Sequence, residues 1–93
     1  MPVVRAEIEL LPTEFGGRSG PAMGDYRPSH DFGFATGFAI GRILLDHPLA
    51  PGDRRDVEIA FFDWPELADA LQPGREWTIR EGLRVVGRGR VLG

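Results

Sequence analysis

The chain has no cysteine, no lysine and no asparagine. Without cysteine there is neither a disulfide nor a thiolate metal ligand. Without lysine the Gly-x-x-x-x-Gly-Lys-Ser/Thr phosphate loop is impossible, which excludes nucleotide hydrolysis of that type. Histidine is scarce: His30 and His47 stand seventeen residues apart with no ligand spacing between them, so no metal site is expected and both are read as surface residues. No apolar run reaches the length of a membrane span, and Met1-Pro2-Val3-Val4-Arg5-Ala6-Glu7 meets charge before a signal-peptide core can form. A soluble, cytoplasmic protein with no membrane contact is therefore expected.

What is present suits one globular domain over residues 1–93, with 42% hydrophobic and 27% charged residues. A chain of this size buries roughly 60–70% of its unfolded surface, enough for one core. The net charge of −3 is unevenly spread. Residues 1–74 hold six arginines against twelve acids, whereas residues 75–93 hold five arginines against Glu76 and Glu81. An acidic body with a basic end hints at polyanion binding at that end.

The hydrophobic pattern has the period of strands. Val4, Ala6, Ile8 and Leu10 alternate with Arg5, Glu7 and Glu9, and Val57, Ile59 and Phe61 alternate with Asp56, Glu58, Ala60 and Phe62. Further strands are read at Phe32-Gly33-Phe34, Phe38–Leu45, Trp77–Arg80 and Val85–Leu92. Pro12–Pro28 is read as a long ordered loop, and His47–Asp53 has turn chemistry. One short helix is expected near 65–71, opened by Pro65 and ended by Gln72-Pro73-Gly74. Six short strands separated by turns predict an all-β fold, an antiparallel barrel. Its expected inward side chains are Val57, Ile59, Phe61, Trp77, Ile79, Val85 and Val91.

Several segments, in this order, resemble the carboxyl-terminal (third) β-barrel domain family of elongation factor Tu. They are Leu11-Pro12-Thr13-Glu14-Phe15-Gly16-Gly17-Arg18 with Pro21, then Tyr26-Arg27-Pro28, then Pro51-Gly52-Asp53, and finally Ile79-Arg80-Glu81-Gly82 followed by Arg84, Val86, Gly87, Gly89 and Val91. The resemblance implies a six-stranded antiparallel barrel that in the full-length factor packs on a second barrel and helps hold the T stem of aminoacyl-tRNA. Nothing in these 93 residues resembles the GTPase domain of that factor, so none of its nucleotide chemistry is expected here. Ser29 stands where the family has a tRNA-facing Gln, and Thr36-Gly37-Phe38-Ala39-Ile40-Gly41 replaces a Thr-Thr-Asp-Val-Thr-Gly segment, so two polar groups suited to phosphate and ribose are lost.

A non-catalytic binding module without cofactor is the resulting expectation. Gly16-Gly17-Arg18-Ser19-Gly20 is read as a backbone turn with a structural ion pair in preference to a phosphate cradle, and Glu7 and Glu9 as a solvated strand face. On the last strand Arg84, Val86, Arg88, Arg90 and Leu92 are expected to share the outward face. Arg84, Arg88 and Arg90, with Arg18 and Arg27, are the candidate contacts to a polyanion or acidic partner. Phe38, Ile40 and Phe62, nominally outward like Val86 and Leu92, are the candidate apolar interface left by loss of the neighbouring barrel. A protein partner or self-association is favoured, and RNA, specifically the tRNA T stem, is the alternative. One consequence is open to direct test: titrating GTP into the protein by calorimetry should release no binding heat, and micromolar affinity would contradict the reading.

Overall fold

The computed structural model describes residues 2–93. Its strands are β1 (Val3–Leu10), β2 (Asp25–Tyr26), β3 (Ser29–Asp31), β4 (Ala39–Leu44), β5 (Arg54–Phe61), β6 (Glu76–Glu81) and β7 (Arg84–Val91). The helix expected near 65–71 is a single turn, α1 (Leu67–Ala70). All pairings are antiparallel, and they run β1–β5–β4–β3–β6–β7 and back to β1, closing a six-stranded barrel. The short β2 is an extra strand on β4, pairing Asp25 with Leu44 and Tyr26 with Ile43.

Alternation decides what enters this barrel. Ala6, Ile8 and Leu10 of β1, Val57, Ile59 and Phe61 of β5, and Trp77 and Ile79 of β6 are buried, as is Val91. The interior is narrow, and glycines make room for its rings. A Cβ on Gly89 would stand 2.4 Å from the Trp77 indole, and one on Gly41 2.7 Å from the Phe61 ring. Trp77 stacks on Phe32 with ring centroids 4.9 Å apart, and His30 meets Phe61 edge-on at 4.9 Å.

Three expectations are corrected. Phe32-Gly33-Phe34 is not a strand; the strand there is Ser29–Asp31. It ends where the Asp31 carboxylate accepts a hydrogen bond from the Gly33 amide, with Gly33 at φ 84°, a conformation that favours glycine. The second correction is to β7, where a bulge shifts the register: Ile79 faces Gly87 but Arg80 faces Val85. One extra residue reverses the alternation beyond it, so Val86 is fully buried and Val85 is only half-buried.

The third correction is His30, which lies in the core at 0% exposure. Indole Nε1 of Trp77 is purely a donor, and it donates to His30 Nδ1 at 3.0 Å, so the imidazole proton sits on Nε2 and is donated to the Gly41 carbonyl at 3.0 Å. Burial pushes the His30 pKa down from 6.5 to about 4, against a weak upward pull from the Gly41 hydrogen bond. Because the folded value is depressed, the unfolded chain binds this proton first. The contribution of His30 to stability is complete above pH 6.5 and is lost as pH falls towards 4. At full loss it amounts to about 3 kcal/mol at most. Urea denaturation of wild type should show this fall, and His30→Gln, which keeps a donor and an acceptor but does not titrate, should show a flatter profile between pH 6.5 and 4. Equal pH profiles would show that His30 is not responsible.

Candidate functional site

The segments around Pro12, Arg18, Tyr26, Gly52 and Glu81, which carry much of the resemblance, meet at one end of the barrel. After β1, Gly16 takes φ 92° at the end of the helical turn Thr13–Phe15, and Gly17 runs so close to the chain that a Cβ would lie 2.0 Å from the Leu11 carbonyl oxygen. This turn aims Arg18 at Glu81, the last residue of β6, with which it forms an ion pair. The guanidinium also donates to the carbonyls of Gly20 and Pro21 and lies 4.7 Å from the centre of the Tyr26 ring. The Tyr26 hydroxyl donates to the same Glu81 oxygen at 2.6 Å. Burial works to raise the Glu81 carboxyl, but the hydrogen bonds from Tyr26 and Arg18 and the charges of Arg18 and Arg84 hold it below its ordinary value. Burial, with the neighbouring carboxylate, pushes the Tyr26 phenol well up. Arg18, a candidate polyanion contact, therefore has its donors committed to the fold.

The outward face of β6, β7 and β1 carries two of the other expected arginines, Arg88 and Arg90. Register sets Arg88 opposite Glu9 and Arg90 opposite Glu7, and both pairs close as ion pairs at 3.0 and 3.5 Å. Glu76 faces Arg90 from the other side. The bulge puts Arg84 out of phase with them, opposite Glu81, so the ridge of three arginines expected on one face does not form. Among the described residues the Arg84 side chain makes no hydrogen bond or ion pair, and acts on Glu81 only through its charge.

The face formed by β5 and β4 has a different character. Val3 lies opposite Ala60, and the Phe62 amide donates to the Ile40 carbonyl at 2.9 Å. This makes an outward row of Val3, Ala60, Phe62 and Ile40, continued by Phe38. Phe62 is 41% and Val3 59% exposed, and Ala60, Ile40 and Phe38 are half-buried. Phe38 lies against the Arg80 guanidinium, 5.5 Å from its ring centre, and Arg80 is itself held by Asp31 at 2.8 Å. Beside Phe62, Arg27 and Arg42 share one carboxylate, Asp25, at 3.4 and 3.3 Å. Arg27, Arg42, Ala60 and Phe62 line a shallow cavity of about 160 Å³.

The structure thus brings together Ile40 and Phe62, with Phe38 beside Ile40 and Arg27 at the edge. Of the other apolar residues expected outward, Val86 is in the core and Leu92 is half-buried. Val3, Asp25 and Arg42 were missed. Arg42 was legible, because Ile40-Gly41-Arg42 alternates and puts it on the Ile40 face, whereas Val3 and Asp25 arrive only through strand register.

No protein-family model matches the chain. Among the described residues no group of three or more His, Asp or Glu side chains is placed to hold a metal ion, and no helix is long and apolar enough to cross a membrane.

The two kinds of ion pair should differ in weight. Glu81→Ala strips a part-buried carboxylate from two donors and should cost about 2–3 kcal/mol. Arg88→Ala opens an exposed pair and should cost under about 1 kcal/mol. Urea midpoints at neutral pH check both; equal losses would mean that the Glu81 cluster does not hold the barrel end.

Proposed function

We propose that this protein is a non-catalytic protein-interaction module of the type found as the third domain of elongation factor Tu, binding through the outward face of β4 and β5. The carrying observation is the contrast between the two outward faces. Across β6, β7 and β1, Arg88 and Arg90 are neutralised by Glu9 and Glu7. Across β5 and β4, the row Val3, Ala60, Phe62, Ile40 and Phe38 is left partly open to solvent beside Arg27 and Arg42.

Burying a side chain such as Phe62 is worth about 1.5–3 kcal/mol, and aromatic and arginine side chains are the groups in which binding energy concentrates. The resemblance adds that the parent domain packs on a neighbouring barrel. The six-stranded ring, and the convergence of Arg18, Tyr26, Pro12, Gly52 and Glu81 at one end, support that kinship. RNA binding is the less supported reading, because the arginines expected to carry it are paired or out of phase.

Photo-crosslinking separates the two. With a photoreactive residue placed at position 62, or at position 78 opposite Arg88, cell extract should yield protein adducts from 62 and no RNA adducts from 78. Phe62→Asp in light scattering reports any self-association through this face. RNA adducts from position 78 that vanish on Arg88→Ala/Arg90→Ala, with none of protein from position 62, would overturn the proposal in favour of RNA.

A further inference from the structure

We infer that the partner presents an acidic segment bearing one bulky apolar side chain, which enters the cavity between Arg27, Arg42, Ala60 and Phe62 while flanking carboxylates take the two guanidiniums; this rests on the β4–β5 face being the docking surface. The cavity, about 160 Å³, is small beside the roughly 300–1,000 Å³ of cofactor and drug-sized pockets, and accommodates one side chain. Its walls set an aromatic ring and the Ala60 methyl beside two cations, a pairing that suits an apolar group with negative neighbours.

The charges at its rim are incompletely used. Among the described residues Asp25 is the carboxylate that pairs with Arg27 and Arg42, at 3.4 and 3.3 Å, and each guanidinium spends one hydrogen bond there. A strong charge-assisted hydrogen bond lies nearer about 2.7–2.9 Å, and an arginine fork offers five donors, so both retain capacity for a bidentate carboxylate. Two cations against one anion leave a local surplus of positive charge in a chain whose net charge is −3.

That same surplus argues against the other occupants. An isologous pair of chains centred on the cavity would set its rim against its own copy, cation to cation. A polyphosphate or an anionic membrane extending along the face would meet Glu58 and Asp56, the next outward residues of β5 beyond Ala60, both exposed. A short segment with its carboxylates confined to Arg27 and Arg42 avoids both.

Fluorescence anisotropy with two labelled octapeptides tests this, each a glycine-serine chain with one phenylalanine, flanked on both sides by a glutamate in the acidic peptide and by a lysine in the other. The acidic peptide should bind, weaken several-fold from about 50 to about 300 mM salt, and lose at least about tenfold in affinity to Phe62→Asp and to Arg27→Ala/Arg42→Ala. Arg88→Ala/Arg90→Ala should leave it unchanged, and the lysine peptide should not bind. Tryptophan emission and circular dichroism check that each variant folds.

Equal binding of both peptides, lost on Phe62→Asp, would overturn the acidic class while leaving the docking face in place. Acidic-peptide binding indifferent to Phe62→Asp would remove both. Absence of acidic-peptide binding up to about 1 mM, or tighter Arg27- and Arg42-dependent binding of poly-uridylate or phosphatidylserine vesicles, would also overturn the inference.

Discussion

A Cβ on Gly89 would collide with the Trp77 indole and one on Gly41 with Phe61, because a closed ring of six strands has little space inside. Most of the packing follows from that shortage. Large rings enter only where the facing strand gives up its side chain, so β7 supplies Gly87 and Gly89 opposite Ile79 and Trp77, and β4 supplies Gly41 opposite Phe61. Phe32, which comes from beyond the end of β3, fills what remains by stacking on Trp77. A barrel this tight also fixes register, since slipping a strand by one residue would bring arginines and glutamates into the ring space.

Burying Trp77 creates a polar debt that the interior must settle, because its indole donor needs an acceptor away from water. His30 settles it, taking the indole hydrogen on one nitrogen and passing its own to the Gly41 carbonyl. The chain of two hydrogen bonds ties β6, β3 and β4 across the core, and no buried side-chain polar atom among the described residues is left unpartnered. Outside the core the same task falls to Glu81, which anchors both the turn after β1, through Arg18, and β2, through Tyr26. Segments far apart in sequence are thus fastened to the end of β6.

Where strands alternate regularly the sequence was legible. Val57, Ile59 and Phe61 could face only inward once Asp56 and Glu58 faced water, and the same logic put Phe62 outside. It failed in β7 for a local reason: Val85 and Val86 are alike to a period-2 pattern, and only the bulge opposite Ile79 and Arg80 decides which is buried. It failed at His30 because that side chain's burial depends on Trp77, 47 positions away, needing an acceptor. The candidate site was half visible. Phe38, Ile40 and Phe62 show outward phase in their own strands, whereas the pairing of Val3 with Ala60 and the sharing of Asp25 by Arg27 and Arg42 depend on closure and register.

Charge distribution is where closure changes the picture most. Along the chain, the positive excess lies after residue 74, yet in space most of it is used up: Arg75 donates to the Phe32 carbonyl, Arg80 pairs with Asp31, Arg88 with Glu9 and Arg90 with Glu7. The last of these pairs joins residues 83 positions apart, so acids from the first strand neutralise arginines of the last. The acidic first 74 residues, by contrast, give up Arg27 and Arg42 to a single carboxylate beside the exposed Phe62 of the apolar row. Segment charge counted along the sequence therefore points to one surface and the folded barrel to another. The second is the better guide, because Arg88 and Arg90 each face a carboxylate of their own, whereas Arg27 and Arg42 share one and stand beside an apolar side chain.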